Sequence, residues 1–182
     1  EGNQIMEKTL IQKKTTTTYA ICVTALFMAL NILMSSFGVP VPGGRCYLND
    51  VIICTAAILL DDTKSAFLVG GVGAFLGDLF FYPTPMFVSL ATHGLQAVVI
   101  CLVAHKAANK EVTFKNAAWG VFLGAIIMVV GYSLGRAFIY STPYYAYIKL
   151  PYQILQAAVG AIGGLLLCFK GGLLDAFEKM KK

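Results

Sequence analysis

Seven strongly polar side chains interrupt long apolar stretches of this sequence. They are Asn31, Asp78, His93, Gln96, Arg136, Gln153 and Gln156. A charged side chain at the centre of a bilayer costs about 2.5–3.5 kcal/mol on insertion scales, so each of these residues is a candidate functional residue. Amides, a carboxylate, an imidazole and a guanidinium together offer both donors and acceptors. The chemistry that they indicate is recognition of a polar ligand.

Catalytic and metal-binding motifs do not accompany these residues. The sequence has no G-x-S-x-G or H-E-x-x-H motif, and no serine or cysteine is placed as a nucleophile partner for His93. The five cysteines have no C-x-x-C spacing, and four lie in apolar runs, which is typical of packing residues. We therefore expect no enzyme activity, no metal and no cofactor.

Several candidates share a helix face with other polar or aromatic residues. The sets are Ser89, His93 and Gln96; Tyr132, Arg136 and Tyr140; and Tyr152 and Gln156, with Gln153 adjacent. Spacings of three or four residues bring side chains to one side of a helix. Three helices are thus expected to line one site.

Aromatic side chains concentrate near the same ends of the apolar stretches. They include Tyr47, Tyr82, Tyr140, Tyr144, Tyr145, Tyr147 and Tyr152. One interpretation is an interfacial belt, but a belt should occupy both membrane interfaces. The other is an aromatic wall for a flat heterocyclic ligand, which makes Tyr47 and Tyr82 candidate contacts.

The elements that must position these residues are membrane-spanning helices. Hydrophobic residues make up 58% of the 182-residue chain and charged residues only 13%, against about 25% charged in soluble domains. The predicted fold is an all-α bundle of six transmembrane helices, with a long extracellular loop between the first two. The spans are Thr18–Phe37, Leu48–Leu60, Ser65–Tyr82, Pro85–His105, Ala117–Tyr140 and Pro151–Phe169. The second is short for a crossing.

Lysine and arginine set the expected orientation. With the N-terminus inside, eleven lysines fall in inner segments, whereas only Arg45 and Lys149 fall in outer loops. The positive-inside rule then places both termini in the cytoplasm, and this distribution argues against nucleic-acid binding. We expect cytoplasmic tails at 1–17 and 171–182 around a transmembrane domain at 18–170. Residues 1–5, before Met6, resemble a remnant of an expression tag.

On this topology every polar candidate falls in the outer half of the bundle or near its midplane. A channel or proton relay would need polar groups through the full thickness. A secondary transporter would be expected to show inverted repeats, and none is convincing. The distribution favours a cup that opens outward and captures a ligand.

Some candidates keep a structural alternative. Asp78 and Arg136 could neutralise each other, and Gln153 and Gln156 could join helices. Asn49 could contact ligand, or it could cap the second helix together with Asp50. Five pairs of small residues recur at four-residue spacing, and close helix packing explains most of them. The pairs are Ala25/Ala29, Gly73/Gly77, Gly120/Gly124, Gly131/Gly135 and Gly160/Gly164.

The order of several motifs resembles the substrate-binding S components of energy-coupling factor (ECF) transporters, over Tyr19 to Lys170. The motifs are Ala25-Leu26-Phe27-Met28-Ala29, Phe37-Gly38-Val39-Pro40-Val41-Pro42, Tyr47-Leu48-Asn49-Asp50, Gly73-Ala74-Phe75-Leu76-Gly77-Asp78-Leu79, and the last helix from Gln153 to Gly164.

This resemblance implies a high-affinity subunit of a bacterial cell membrane that captures a vitamin. It implies docking on a transmembrane coupling protein that sits on two ATPases, with Ala25 and Ala29 as contacts. The loop at 38–48 would be a lid. The chain has no P-loop of its own. Similarity over Asp78 to Gln96 favours pyridoxine vitamers or hydroxymethylpyrimidine, with riboflavin and pantothenate as alternatives. The single tryptophan, Trp119, argues against thiamine.

Overall fold

Helices form nearly all of this protein. The computed structural model describes the backbone of residues 2–106 and 112–181 and the side chains of residues 18–106 and 112–180. Lys110 and Lys182, which entered the orientation argument, lie outside the described residues. The seven helices of the described part are α1 (Gly2–Ser35), α2 (Asn49–Leu59), α3 (Thr63–Phe81), α4 (Met86–Ala104), α5 (Phe114–Tyr140), α6 (Pro143–Lys170) and α7 (Leu173–Lys181).

A short antiparallel hairpin follows α1. Strand β1 (Val39–Val41) pairs with β2 (Gly44–Cys46). Gly43, in the turn, has a φ of +81°, a backbone conformation that side chains other than glycine rarely adopt. This hairpin lies at the end of the bundle where α1, α3 and α5 end and where α2, α4 and α6 begin. We call this end the hairpin end.

Five helices are long and apolar enough to cross a membrane: the Thr18–Ser35 part of α1, and α3, α4, α5 and α6. The sixth apolar helix, α2, has 11 residues, which corresponds to about 16 Å. The chain is therefore a multi-pass membrane protein with an all-α bundle, and the second predicted span is indeed short.

Close glycine contacts fix the relative direction of neighbouring helices. A Cβ atom added at Gly73 or Gly77 of α3 would meet Asn31 or Ser35 of α1, respectively. The residue numbers increase in the same direction on both helices, from Asn31 to Ser35 and from Gly73 to Gly77, so α1 and α3 run parallel. Close approach of this kind needs small residues, since lipid offers no hydrophobic force between helices.

The remaining glycine pairs follow the same logic. Gly160 and Gly164 of α6 face Asp50 and Cys54 of α2 in parallel. The pairs of α5 face α4 in antiparallel order: Gly120 and Gly124 meet Ile100, whereas Gly131 and Gly135 meet Thr92 and Val88. The prediction that most small-residue pairs pack inside the bundle is confirmed. Ala25 and Ala29 differ, because both are exposed on α1.

The start of the last long helix was predicted wrongly. Helix α6 begins at Pro143, not at Pro151. Pro143 occupies the first turn, where a missing N–H is harmless, and the Thr142 hydroxyl caps this turn by accepting a hydrogen bond from the Tyr145 N–H at 3.5 Å. Pro151 lies inside the helix, where its missing N–H leaves one backbone hydrogen bond unmade. A proline was thus mistaken for a boundary.

The two terminal segments are also helical. The backbone of α1 starts at Gly2, so the predicted N-terminal tail continues the first helix. Beyond residue 170, α7 packs back on the bundle with Leu174 and Phe177 buried, and the rings of Phe177 and Tyr19 lie 5.9 Å apart. Their cytoplasmic location remains a prediction.

The apolar core lies toward the end opposite the hairpin. Ile53, Ile58 and Leu59 of α2 pack with Ile100 of α4 and Val121 of α5, all with no more than 2% of their surface exposed. Buried polar residues instead collect toward the hairpin end. The core therefore closes the bundle beneath the polar region.

Candidate ligand-binding site

A small cavity at the hairpin end gathers most of the predicted site residues. Its lining residues are Arg45, Tyr47, Asn49, Ala74, Asp78, Tyr82, Pro85, His93, Tyr132, Arg136, Gln153 and Gln156. The space left for the centres of water-sized molecules is about 30 Å³. The cavity is thus nearly filled by its own side chains, several of which hydrogen-bond to neighbouring residues behind the lining.

Asp50, in the first turn of α2, lies at the centre of the deepest hydrogen bonds. Only 1% of its surface is exposed. Its Oδ1 accepts a hydrogen bond from Gln96 Nε2 at 3.2 Å, and its Oδ2 accepts one from Gln156 Nε2 at 2.6 Å. The carboxylate therefore connects α2, α4 and α6, and it belongs to the floor of the site.

The capping interpretation of the first residues of α2 is wrong. Leu48 occupies the N-cap position, and no side chain caps this helix end. Asp50 points at the glutamine amides instead, and the buried Oδ1 of Asn49 has no hydrogen-bond partner. In a sequence, a carboxylate near the start of a helix suggests an N-cap. Here the Asp50 carboxylate instead accepts hydrogen bonds from the amides of Gln96 and Gln156, which lie on other helices.

His93 lies beside this carboxylate. Its Nδ1 is 2.7 Å from Gln96 Oε1 and 3.7 Å from Asp50 Oδ1. Only 2% of His93 is exposed, and its ring meets the Tyr132 ring edge-on at 5.1 Å between centroids. The predicted pairing of His93 with Gln96 across one turn of α4 is present.

Gln156 joins the floor to the hairpin segment. Its Oε1 accepts a hydrogen bond from the Tyr47 backbone N–H at 3.2 Å, while its Nε2 donates to Asp50. The buried Tyr47 hydroxyl has no partner. Burial, reinforced by the charge of Asp78, raises the pKa of this hydroxyl to about 12, so it stays protonated and able to donate at physiological pH.

A second buried acid lies on the wall of the cavity. Asp78 Oδ2 accepts a hydrogen bond from the Ser89 hydroxyl, which also contacts the Tyr132 hydroxyl. Ser89 is fully buried. The three residues connect α3, α4 and α5, and they hold the Tyr132 ring beside His93.

Arg136 does not pair with Asp78. Its Nη1 donates to the Gly43 carbonyl, and its guanidinium lies 5.2 Å from the centre of the Tyr140 ring. Arg136 opens a π-helical turn, Arg136–Tyr140, at the end of α5, and such turns often occur at functional sites.

Lys149 was counted in the sequence as an outer-loop cation, but it is buried in α6, with 2% exposed. Its Nζ donates to the Arg45 carbonyl at 2.6 Å and to Cys46 Sγ at 3.2 Å. Two cations, Arg136 and Lys149, thus hold the hairpin through its backbone carbonyls. No signal in the sequence distinguished Lys149 from a solvated lysine.

The other predicted contacts divide into two groups. Gln153 lines the cavity and donates to Met128 Sδ at 3.1 Å, and Tyr82 lies 5.8 Å from the Arg45 guanidinium. Asn31 is not among the lining residues, because its Nδ2 donates to the Val69 carbonyl at 2.6 Å and joins α1 to α3. Asn31 is therefore a polar residue of a membrane span that joins two helices and does not line the cavity.

The site offers acceptors at its floor and cations at its mouth. Asp50 and Asn49 lie deep, whereas Arg45 belongs to the hairpin and Arg136 hydrogen-bonds to it, and tyrosine rings also line the cavity. Among the side chains that the structure describes, no group of three His, Cys, Asp or Glu residues could hold a metal. Such an arrangement can bind an uncharged or polar heterocycle through many directed hydrogen bonds.

Comparison with known proteins assigns the chain to a family. An uncharacterized protein of Pyrococcus woesei, from the gap 3' region, is 31% identical over 131 residues, which cover 70% of this chain and 84% of that protein. The sequence also matches the family described as "ECF-type riboflavin transporter, S component" over residues 15–171. The chain therefore belongs to this family of S components, the substrate-binding membrane subunits of vitamin transporters, and it is not an enzyme.

Proposed function

We propose that this protein captures a vitamin from the extracellular side and delivers it through an ECF-type transporter. The observation that carries the proposal is the closed polar cavity at the hairpin end, above an apolar core that blocks the opposite end. A binding site closed toward one side of the membrane suits capture. A conducting pore would need polar groups along the whole path.

The proposed orientation places the hairpin end outside and both termini inside, with six crossings. Lys64, Lys106, Lys115 and Lys170 all lie at the end opposite the hairpin. The positive-inside rule assigns that end to the cytoplasm. Helix α2 is too short to cross the membrane alone, so we propose that its crossing includes the flanking segments. Its neighbours α6, α1 and α4 shield it from lipid.

The hairpin is proposed to act as the lid of the site. Its backbone is held from α5 by Arg136 and from α6 by Lys149. Tyr47, which follows β2, lines the cavity and hydrogen-bonds to Gln156. Opening the hairpin would therefore expose the cavity and disturb its floor.

Riboflavin is the first proposed substrate, because the matched family carries that name. The second candidates are smaller heterocycles, namely pyridoxine vitamers or hydroxymethylpyrimidine. Because the free space is only about 30 Å³, side chains must move to admit any of these ligands, and a smaller ligand requires less movement. In either case we propose contacts from His93, Asn49, Tyr47 and Gln153 on the ligand.

The proposed partner surface is the exposed face of α1 around Ala25 and Ala29. The other small-residue pairs are occupied inside the bundle, so this pair is free for close helix packing with another membrane protein. We propose that a transmembrane coupling protein docks there and that two cytoplasmic ATPases drive release.

The proposal is tested by identifying the ligand. Protein purified in detergent is expected to carry a vitamin that mass spectrometry identifies, and adding that vitamin to stripped protein should raise its melting temperature. Riboflavin, pyridoxine, hydroxymethylpyrimidine, pantothenate and thiamine are compared. Uptake in cells should stop when the ATPases are deleted. Uptake that persists without them would indicate a secondary transporter instead.

A further inference from the structure

We propose that Asp50 is a positioning residue that decides which hydrogen-bonding groups the floor of the cavity offers to a ligand. The inference rests on the proposed function only in treating this cavity as the binding site. Asp50 is not itself among the lining residues. It acts on the ligand through the residues that it orients.

The first step concerns the two glutamine amides. An ionised carboxylate can only accept hydrogen bonds. Gln96 Nε2 and Gln156 Nε2 lie 3.2 and 2.6 Å from the two oxygens of Asp50. Each amide is therefore fixed with its NH₂ group toward Asp50 and its oxygen away from it, so neither amide can flip without facing its oxygen to the carboxylate.

The second step concerns the tautomer of His93. The oxygen of the oriented Gln96 amide lies 2.7 Å from His93 Nδ1. Because an amide oxygen only accepts, Nδ1 must carry the hydrogen. In the neutral imidazole the lone pair then resides on Nε2. Asp50 thus sets the tautomer of His93 through Gln96.

The third step concerns the segment that leaves the hairpin. The oxygen of the oriented Gln156 amide accepts the Tyr47 N–H at 3.2 Å. The same carboxylate therefore fixes the start of the segment that carries Tyr47 into the cavity. Loss of Asp50 would release both amides, and the floor and the lid would change together.

These steps give the floor a definite polarity. The lone pair of His93 Nε2 and the unpartnered, buried Oδ1 of Asn49 are both acceptors on residues that line the cavity. The floor consequently suits a ligand edge that carries N–H or O–H donors, such as the imide or amino edge of a heterocycle. An edge made only of acceptors would meet lone pairs.

The tautomer can be measured without any ligand. The chain has two histidines, so protein labelled with nitrogen-15 in its imidazole rings gives two ring spectra, which the variant His105→Gln assigns. We expect His93 to carry its hydrogen on Nδ1. His105 is an internal reference, because its Nδ1 faces the Cys101 carbonyl at 3.0 Å, independently of Asp50.

The variants Asp50→Asn and Gln96→Leu should both release the tautomer of His93, which should shift toward hydrogen on Nε2, while the spectrum of His105 stays unchanged. Asp175→Asn, the same chemical change at an exposed position of α7, should alter neither ring. Melting curves and gel filtration establish that each variant is folded. Gln96→Leu keeps the test decisive if Asp50→Asn fails to fold.

The binding readout uses riboflavin, whose fluorescence is quenched in a protein pocket. Asp50→Asn should weaken its affinity at least about tenfold, the effect of one buried hydrogen bond. Hydrogen on Nε2 of His93 in the parent protein, or an unchanged Nδ1 tautomer in both variants, would overturn the role of Asp50. If the parent protein does not bind riboflavin, the proposed substrate fails, whereas the ligand-free spectrum still decides the role of Asp50.

Discussion

Gln156 has the most connected side chain of the site. Its amide makes two hydrogen bonds. Nε2 donates to Asp50 Oδ2 at 2.6 Å, and Oε1 accepts from the Tyr47 backbone N–H, just before α2, at 3.2 Å. Gln153, one turn earlier on α6, lines the same cavity, and its Nε2 donates a hydrogen bond to the sulfur of Met128. The two glutamines form a matched pair.

We therefore expect Gln156→Leu to weaken ligand binding by about 1–3 kcal/mol, since a buried donor and a buried acceptor lose their partner. Gln153→Leu should cost less, because a thioether is a weak acceptor. Isothermal titration with the co-purified vitamin measures both. Equal losses would mean that the ligand, and not the protein, holds these amides.

At the scale of single residues, the sequence allowed us to predict which residues belong to the site better than which residues they contact. His93, Gln96 and Gln156 were singled out because polar residues in apolar runs are costly, and the structure brings them together. Asp50 and Lys149 were missed for one reason. Each lies near the end of a helix, where the pattern of a cap or a solvated loop residue is indistinguishable from that of a buried one.

At the scale of elements, the contact between α2 and α6 positions the floor. A Cβ atom at Gly160 would lie 2.5 Å from the Cβ of Asp50, so any side chain at this position would collide with α2. We expect Gly160→Ala to force α2 and α6 apart, lowering stability by about 1–3 kcal/mol and weakening ligand binding with it.

A melting curve in detergent, recorded with and without the vitamin, checks this expectation. Val159→Leu is the control, because Val159 is 40% exposed on the outer surface of the same helix and a larger apolar side chain there faces lipid. A Gly160→Ala protein as stable as the parent would show that the helices pack less tightly.

The hairpin is the second element whose role can be measured. Lys149→Met keeps the apolar stem of the side chain but removes the hydrogen bonds to the Arg45 carbonyl and Cys46 Sγ. We expect faster hydrogen exchange at the amides of 39–46 and faster ligand release. Lys64→Met, an exposed change at the opposite end, should affect neither. Unchanged exchange in Lys149→Met would show that Lys149 does not hold the hairpin in place.

Helix existence was predictable from the sequence because apolar runs of this length have few alternatives. Helix limits were less predictable. Pro151 was read as a start although α6 begins at Pro143, because a sequence shows that a proline lacks an N–H but not whether the helix can lose that bond. The glycine pairs were read correctly as packing, since their partners are backbone and side chains of neighbouring helices.

For the whole molecule, the decisive comparison is between binding and transport. We expect Ala25→Trp or Ala29→Trp to leave vitamin affinity unchanged and to abolish uptake, because a bulky side chain would prevent close docking of the proposed coupling protein. Both alanines are exposed and distant in sequence from the cavity residues. Ligand binding in detergent and uptake in cells measure the two effects.

Ala91→Trp supplies the matched control. Ala91 is also an exposed alanine of a membrane helix, but it lies on α4. Uptake should survive this change. Uptake by the Ala29→Trp protein at the parent rate would contradict docking at this face of α1, and equal loss in all three variants would indicate that tryptophan simply disturbs the bundle.

The brevity of α2 has a consequence for the transport cycle. The eleven residues of α2 span about 16 Å of a hydrocarbon layer about 30 Å thick. Asp50 lies in the first turn of this helix, at its hairpin end. On the proposed orientation, a captured vitamin already rests near the middle of the membrane. The transporter would then have to carry its cargo across only the remaining half of the barrier.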